Sequence, residues 1–150
     1  MPTASRAKHK FCRRVGQCIW GDPTCPSVKR PYAAGPHGKG RRVKLSTYGE
    51  LLMEKQKLKN YYAISEKQLQ IAYAKAKAGY GQTHEKLFRS LEQRLDSMVY
   101  RAGFAPTIFA AKQYVNHGHI LIDGKRVDRS SCMVKEGQNT QRMRLPRRQN

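Results

Sequence analysis

The chain has 150 residues, of which 30 are Lys or Arg and 10 are Asp or Glu, so its formal net charge is +20. This length holds one domain or two small ones and excludes a large catalytic domain beside a binding module. So large a positive surplus predicts a polyanionic partner, and nucleic acid is the polyanion that a basic chain usually binds.

Secreted and membrane proteins are excluded next. No apolar run approaches the roughly 18 residues of a membrane helix, and no apolar segment of a secretory signal follows residues 1–6. Three of the four cysteines lie within the first 25 residues, which fits thiols or a metal site better than a disulfide framework. We therefore expect a cytoplasmic protein without a membrane partner, with an organelle as the alternative compartment.

Residues 1–45 contain eleven basic residues and one acidic residue, which gives +10. Glycines and prolines argue against regular structure in residues 35–40. We interpret this segment as an extended basic arm that its nucleic-acid partner orders, and not as a disordered solubilising tail, because Trp20 and Tyr32 are unusual in such tails. Tyr32 is expected to stack on a base or ribose. The predicted nucleic-acid-binding residues of the arm are Arg30, Tyr32, His37, Lys39, Arg41, Arg42 and Lys44.

The arm also contains the donor atoms of a tetrahedral zinc site, in His9, Cys12, Cys18 and Cys25. Their spacing lacks the closely paired Cys-x2-Cys of many structural zinc sites. Two interpretations therefore stand, a structural zinc ion or free thiols in an arm that its nucleic-acid partner orders. Cys132 lies too far along the chain to join the set, and no other cofactor is expected.

The middle of the chain is predicted to be helical. Ser46 caps a first helix that ends near Asn60. Ser65 with Gln68 is a capping-box pattern, and the second helix that it begins ends near Ala78. Three lysines of the first helix extend the predicted nucleic-acid-binding surface, although an ordinary polar helix face explains each of them nearly as well: Lys55, Lys57 and Lys59.

A third helix is predicted from Thr83 to Ala102, because apolar residues recur there at steps of three and four. We interpret this stripe as packing and not as a binding motif. Gly103 ends the helix.

A shorter helix is predicted from Thr107 to His117, followed by a strand over residues 119–122. Asp123 and Gly124 form a two-residue hairpin turn, and residues 125–127 return as a second strand. Basic and polar side chains gather around this helix end and turn, where they can contact phosphate and sugar groups. The predicted nucleic-acid-binding residues here are Arg94, Arg101, Lys112, Asn116, His117, His119, Lys125 and Arg126.

Two alternatives apply to this set. The residues can form a merely solvated basic surface, and His117 with His119 can suggest a metal pair. No third ligand lies nearby in the sequence, so RNA or packing contacts are the preferred interpretation of the two histidines.

These segments resemble a known family. Arg94–Ala105, Asn116–Ile120 and Asp123–Val127 are similar to the RNA-binding module named after small-subunit ribosomal protein S-four. Lys29–Gly38 and Lys44–Leu58 resemble the bacterial ribosomal protein family itself, and the similarity covers about residues 9–137.

The resemblance implies an α+β fold, in which a mainly helical domain with an extended basic N-terminal arm precedes an S-four-type module of two helices and a small β-hairpin sheet. The expected division is residues 1–45 (arm), 46–93 (helical domain), 94–137 (module) and 138–150 (irregular basic tail). The tail departs from the family, which continues after Gly137 with an apolar strand and several dozen residues, so the chain is expected to be C-terminally shortened.

The resemblance also implies a function. The family binds small-subunit ribosomal RNA, nucleates assembly of its 5′ domain, contacts neighbouring small-subunit proteins, and lies near the path of messenger RNA with an influence on translational accuracy. The alternative is a stand-alone RNA-binding paralogue or RNA chaperone acting off the ribosome. No glycine-flanked nucleophile, phosphate loop or paired-acid motif is present, so neither catalysis nor a small-molecule substrate is expected.

Two further points depend on the resemblance. Some family members bind zinc through four N-terminal cysteines, and here Cys12 stands at a family cysteine position while His9 replaces another. The family usually has an Arg where this chain has Ile108, so one phosphate contact is expected to be missing.

Overall fold

The computed structural model describes residues 9–40 and 44–143, which belong to two compact units, Met1–Tyr61 and Tyr62–Asn150. The described residues form seven helices and one three-stranded antiparallel sheet, which confirms the predicted α+β class. No helix in these two ranges is long and apolar enough to cross a membrane.

The N-terminal unit contains α1 (Lys10–Val15), α2 (Pro26–Lys29) and α3 (Thr47–Tyr61). The prediction of an extended arm is therefore wrong for α1 and α2, which are too short to show a hydrophobic period in the sequence. Gly16 ends α1 in the left-handed conformation with φ at 89°, and Pro26 opens α2 where its missing N–H costs no hydrogen bond. Residues 30–40 form turns and bends only.

Helix α3 begins as the sequence predicts. The Ser46 hydroxyl accepts a hydrogen bond from the Gly49 N–H at 3.2 Å, which satisfies one of the unpaired donors at the helix start. None of the side chains of α3 is fully buried, so this helix adds no apolar core to its unit.

The second unit begins with α4 (Glu66–Ala78), α5 (Thr83–Glu92), α6 (Leu95–Arg101) and α7 (Ile108–Asn116). The predicted capping box is present, because Ser65 and Gln68 exchange side chain to backbone hydrogen bonds at 3.3 Å. Thr107 caps α7 by accepting from the Ala110 N–H at 3.1 Å.

The prediction of one helix from Thr83 to Ala102 is wrong, because Gln93 and Arg94 separate α5 from α6. A later segment of the chain competes for the backbone here. The Leu95 N–H donates to the Cys132 carbonyl and the Val134 N–H donates to the Gln93 carbonyl, both at 2.8 Å. The apolar period continues across the break, so periodicity alone does not reveal it.

The sheet contains β1 (Ile120–Ile122), β2 (Lys125–Val127) and β3 (Thr140–Arg142) in the order β2-β1-β3, with both pairs antiparallel. Asp123 and Gly124 both have positive φ, 49° and 79°. This is the conformation of the two-residue turn that the sequence predicts.

Strand β3 corrects the prediction of an irregular tail after residue 137. Its residues are Thr, Gln and Arg, so it carries no apolar alternation, and backbone pairing with β1 holds it. The Asp123 carboxylate accepts from the Asn139 N–H at 2.8 Å and from the Gln138 amide at 3.2 Å. These polar bonds fix the chain directly before the strand, and a hydrophobic period in the sequence does not predict them.

Helices α6 and α7 pack on the sheet around an apolar core. Leu95, Val99, Ala111, Val115 and Ile120 are fully buried in it. Burying a Leu, Val or Ile side chain stabilises the folded state by about 1.5–3 kcal/mol. This core fixes the α7 C-terminus and the hairpin on one rigid support.

Candidate RNA interface and metal-binding cluster

Four potential metal ligands of the N-terminal unit lie close together. The donor atoms of His9, Cys12, Cys18 and Cys25 are all within 4.8 Å of one another. Tetrahedral zinc, with bonds of about 2.0–2.3 Å, places its donor atoms roughly 3.5–3.8 Å apart. Folding therefore brings together four residues that span 17 positions of the sequence, around a volume that suits one ion.

The surroundings of the sulfur atoms also suit a metal. The Asp22 N–H donates to Cys18 Sγ at 3.4 Å, and the backbone at Ile19 hydrogen-bonds the Cys12 thiol. The Ser27 backbone and hydroxyl bond Cys25, with the hydroxyl Oγ at 3.1 Å. Each sulfur atom thus has a polar hydrogen-bond donor, as metal-bound thiolates usually do.

The thiol pKa values differ for physical reasons. Burial raises the pKa of Cys12 to about 11. Burial also acts to raise the pKa of Cys25, but hydrogen bonds from Ser27 and from the other two thiols outweigh it and lower that pKa. A bound zinc ion deprotonates its cysteine ligands outright, and three thiols with one imidazole are ligands that zinc prefers.

The cluster is also tied to α3. The His9 ring meets the Trp20 ring edge to face with centroids 5.9 Å apart, and Trp20 Nε1 donates to the Tyr61 carbonyl at 3.3 Å. Because a buried indole N–H needs an acceptor, this bond fixes the position of Trp20 against the end of α3.

Arg13 connects the cluster to residues 30–44, the later part of the basic arm. Its guanidinium donates to the carbonyls of Tyr32 and Ala33 at 3.2 and 3.3 Å, and its Cζ lies 5.0 Å from the centroid of the Tyr32 ring. Lys39 Nζ lies 5.7 Å from the same centroid. Sequence reasoning missed Arg13, because nothing in the spacing distinguishes it from the other basic residues of the arm.

The other arm residues present their charge outward. Tyr32 is half-buried, while the remaining described members of the predicted set are exposed: Arg30, His37, Lys39 and Lys44. Arg41 and Arg42 lie outside the described residues.

The three lysines of α3 differ in their surroundings. Lys55 is exposed and Lys59 is half-buried. Lys57 forms an ion pair with Glu54 one turn earlier on the helix, so part of its charge is already balanced.

Two predicted RNA-binding residues of the second unit face the protein interior. Arg94 is 7% exposed and donates to both carboxylate oxygens of the fully buried Asp96, at 3.1 and 2.8 Å. Lys112 Nζ lies 3.6 Å from the same carboxylate and donates to the Ala63 carbonyl. Burial lowers the pKa of Lys112, and the Asp96 charge opposes this shift. These contacts connect α6 and α7 with the start of the unit.

Arg101 is exposed but paired. Its guanidinium donates to both oxygens of Glu92 at 2.7 and 3.1 Å. The hydrogen bond from Arg101 holds the pKa of Glu92 below its usual value against the effect of burial, and Tyr62 adds a second bond at 2.7 Å.

The remaining predicted residues gather at the end of α7 and the hairpin turn. Asn116, His117, Lys125 and Arg126 are exposed, and His119 is half-buried. This group, which we call the hairpin face, has the donors that contact phosphate and ribose in RNA.

Backbone geometry orders the hairpin face. Arg126 Nη2 donates to the His117 carbonyl at 3.1 Å, and its side chain crosses Gly118, where φ is 70°. A Cβ at residue 118 would lie 1.9 Å from Arg126 Nε, so glycine gives both the left-handed turn and the space for this guanidinium.

Arg142 adds a cation that the sequence did not reveal. It lies on β3, with Cζ 4.8 Å from the centroid of the Tyr114 ring, and donates to the Phe104 carbonyl at 3.2 Å. The Tyr114 ring contacts His119 edge to face with centroids 6.3 Å apart. A strand without hydrophobic period gave no signal that could place this arginine beside α7.

Comparison with known proteins decides the family. Residues 4–92 match the profile of the Ribosomal protein S4/S9 N-terminal domain, and residues 93–139 match the S4 domain. Small ribosomal subunit protein uS4 of Ruegeria sp. (strain TM1040) is 51% identical to this chain over 138 residues, which cover 91% of the chain and 67% of the relative. The proteins of that name from Afipia carboxidovorans and Dinoroseobacter shibae are 51% and 50% identical over the same shares. The chain belongs to the ribosomal protein S4 family.

Membership of the S4 family confirms the resemblance found in the sequence. It also confirms that the chain is not an enzyme, since the family consists of structural ribosomal proteins. The chain is thus a ribosomal protein of the small-subunit type with an S4 domain.

Ile108 marks a departure inside the S4 domain. The resemblance implied an Arg at this position, and the structure buries Ile108 to 3% exposure at the first position of α7. An apolar packing residue thus stands where the family pattern implied a phosphate contact.

Proposed function

We propose that this S4-family chain is a structural constituent of the small ribosomal subunit and binds small-subunit ribosomal RNA directly. The observation that carries the proposal is the hairpin face, which gathers exposed cations and hydrogen-bond donors on the S4 domain. Arg and Lys neutralise phosphates, while Asn and His reach phosphate and ribose hydroxyl groups. The residues proposed to contact RNA in this unit are Asn116, His117, His119, Lys125, Arg126 and Arg142.

The arm contributes a second contact region in the N-terminal unit, where Arg30, His37, Lys39 and Lys44 are exposed and glycines let the backbone approach phosphate closely. The residues proposed here are Arg30, His37, Lys39, Arg41, Arg42, Lys44, Lys55 and Lys59, with Arg13 and Tyr32 ordering the arm.

Family membership supports three finer roles, which we propose for this chain: early binding to the 5′ domain of the ribosomal RNA, contact with neighbouring small-subunit proteins, and a position near messenger RNA that influences accuracy. Cytoplasmic ribosomes are the proposed location. The proposed division of the chain is a basic arm (1–45), a helical domain (46–93), the S4 domain (94–137) and a basic tail (138–150), of which residues 140–142 pair with the S4 domain as β3.

Sedimentation tests the main proposal. We expect the chain to migrate with the small subunit in a sucrose gradient of cell extract, and purified chain to bind an RNA fragment of the 5′ domain more tightly than fragments of the other domains. Exclusive migration with free protein at low salt contradicts the ribosomal role and favours an RNA-binding paralogue or chaperone acting off the ribosome.

We propose in addition that His9, Cys12, Cys18 and Cys25 hold a structural zinc ion. The convergence of their donor atoms supports this, as does the hydrogen bonding of all three sulfur atoms. Zinc would supply cross-linking of α1, α2 and the loop between them, with no role in chemistry. Metal analysis of the purified chain is expected to give one equivalent of zinc, and less than a tenth of an equivalent rejects the site.

A further inference from the structure

The zinc cluster and the basic arm meet in one short helix. Cys12, a cluster residue, and Arg13, which donates to the Tyr32 and Ala33 carbonyls, are adjacent on α1. His9 stands at the N-cap of the same helix. Any contact that fixes the position of α1 therefore also fixes the Arg13 guanidinium, which holds residues 32 and 33 of the arm.

Helix α1 is too short to be stable without contacts to the rest of its unit. It has six residues, and isolated helices shorter than about 12–15 residues are marginal in water. Cys12 is its buried residue, and none of its residues provides an acidic first turn or a side-chain cap. Its order must come from tertiary contacts, and two of the four cluster residues lie at its start.

The arm depends on the same contacts in turn. Arg13 and Lys39 both approach the Tyr32 ring, at 5.0 and 5.7 Å. This arrangement holds the backbone of residues 32 and 33 and brings Arg13 and Lys39 to the same aromatic ring. RNA that binds an arm already held in this way does not pay the entropy of ordering it.

We propose that metal occupancy of the cluster and RNA affinity of the arm are coupled through Arg13. This inference rests on the proposed RNA binding and zinc binding. Zinc stabilises α1, α1 positions Arg13, and Arg13 orders residues 32–39 for RNA. Because coupling between two sites is reciprocal, bound RNA also increases the affinity for zinc by the same factor.

The test uses the full chain with zinc bound and after removal of zinc by a chelator. RNA binding is measured with a labelled 5′-domain fragment of small-subunit ribosomal RNA. We expect zinc removal to weaken RNA binding about tenfold, within the range typical of coupled sites. Saturating RNA should slow the transfer of zinc to a chromogenic chelator by a comparable factor.

Arg13→Gln and Arg14→Gln form the decisive pair. Both remove one charge from neighbouring positions of α1, but Arg14 is exposed and Arg13 contacts the arm. In Arg13→Gln, we expect the effect of zinc on RNA affinity to fall below about twofold, whereas Arg14→Gln should keep the full effect. Tyr32→Leu retains the carbonyl that accepts from Arg13 and loses the aromatic ring. This variant should keep part of the effect of zinc on RNA affinity.

The outcomes separate the proposals. If neither the zinc-bound nor the zinc-free chain binds RNA, the proposed function is overturned. Tight RNA binding by a chain that never takes up zinc rejects the metal site and the coupling while leaving RNA binding intact. Equal RNA affinities with and without zinc overturn the coupling, and an unchanged zinc effect in Arg13→Gln overturns Arg13 as its link.

Discussion

The two units of this protein are stabilised in different ways. Among the described residues of the N-terminal unit, 9–40 and 44–61, the buried side chains are Cys12, Cys25 and Ser27. The S4 domain instead buries leucine, valine, isoleucine and alanine side chains in a continuous core. Two thiols and a hydroxyl bury far less apolar surface than that core, so the zinc ion that we propose Cys12 and Cys25 help to hold is the expected source of order in the N-terminal unit.

This difference assigns different sources of order to the two regions that we propose bind RNA. The hairpin face is attached to a support that apolar packing makes rigid, and its order needs no ligand. With the proposed zinc ion bound, the arm belongs to a unit in which the metal takes the place of an apolar core, as in small domains whose metal-binding energy is their folding energy. The arm can therefore respond to conditions that leave the hairpin face unchanged.

Zinc removal gives the largest expected effect. We expect a chelator, or the substitution Cys25→Ser, to remove the ordered structure of the N-terminal unit and leave that of the second unit. Trp20 is the single tryptophan and contacts His9, so its fluorescence reports the N-terminal unit alone. Hydrogen exchange should show lost protection in residues 10–29 and unchanged protection in residues 108–127.

Cys132→Ser is the matched control, because Cys132 lies outside the cluster. Loss of protection in both units would show that they share one folding transition and that their sources of stability are not separate. Full protection of residues 10–29 without zinc would show that the thiols are merely buried.

The second unit should be sensitive to its internal charges instead. Asp96→Ala leaves the buried Arg94 and the half-buried Lys112 without their shared carboxylate. Removing one partner of a buried ion pair costs about 3–5 kcal/mol. We expect that loss in urea unfolding followed by hydrogen exchange of residues 108–127, with Trp20 fluorescence of the zinc-bound chain unchanged.

Asp128→Ala removes an exposed carboxylate from the same unit and should change stability by less than about 0.5 kcal/mol. If both variants lose the same stability, the Asp96 contacts are not what stabilises the interior. The comparison of the two units would then rest on the apolar core alone.

Sequence reasoning succeeded where local chemistry determines structure. Ser65 and Gln68 predicted a capping box, and Asp123 with Gly124 predicted a hairpin turn, since each pattern needs only neighbouring residues. The same reasoning failed where distant segments decide. The α5–α6 break at Gln93 depends on residues 132–134, and β3 depends on pairing with β1.

The candidate site shows the same division. Composition and spacing indicated which residue types contact RNA, but not which side chains face inward. Arg94 and Lys112 carry the same charge as Arg126, and only folding shows that Asp96 holds both of them inside. Arg142 was missed for the opposite reason, because pairing on β3 brings it to a surface that the sequence does not reveal.

Replacing these arginines separates the hairpin face from the interior. Arg126→Ala removes an exposed cation of that face, and we expect weaker RNA binding and a salt dependence whose logarithmic slope falls by about one unit. Arg94→Lys keeps the buried charge near Asp96 and should leave the slope unchanged. The measurement is RNA affinity over a series of salt concentrations, with hydrogen exchange to confirm that both variants are folded.

An unchanged slope in Arg126→Ala would place that residue on a merely solvated surface. A lower slope in Arg94→Lys would show that Arg94 reaches RNA despite its burial. Either result would require a new assignment of the face that the S4 domain presents to RNA.

The smallest expected effect concerns pH. The hydrogen bond from Arg101 lowers the pKa of Glu92 from its ordinary value of 4.5. A carboxyl whose pKa is lower in the folded state adds stability above its unfolded pKa and loses that contribution as pH falls through the folded value. The stability difference between the native chain and Glu92→Gln should therefore be constant above about pH 5.5 and shrink steadily below pH 4.5.

Glu136→Gln, which changes an exposed carboxylate, should show no such trend. Hydrogen exchange in residues 108–127 measures this within the second unit. A difference that persists unchanged to pH 3 would mean that Glu92 acts through packing and not through its charge.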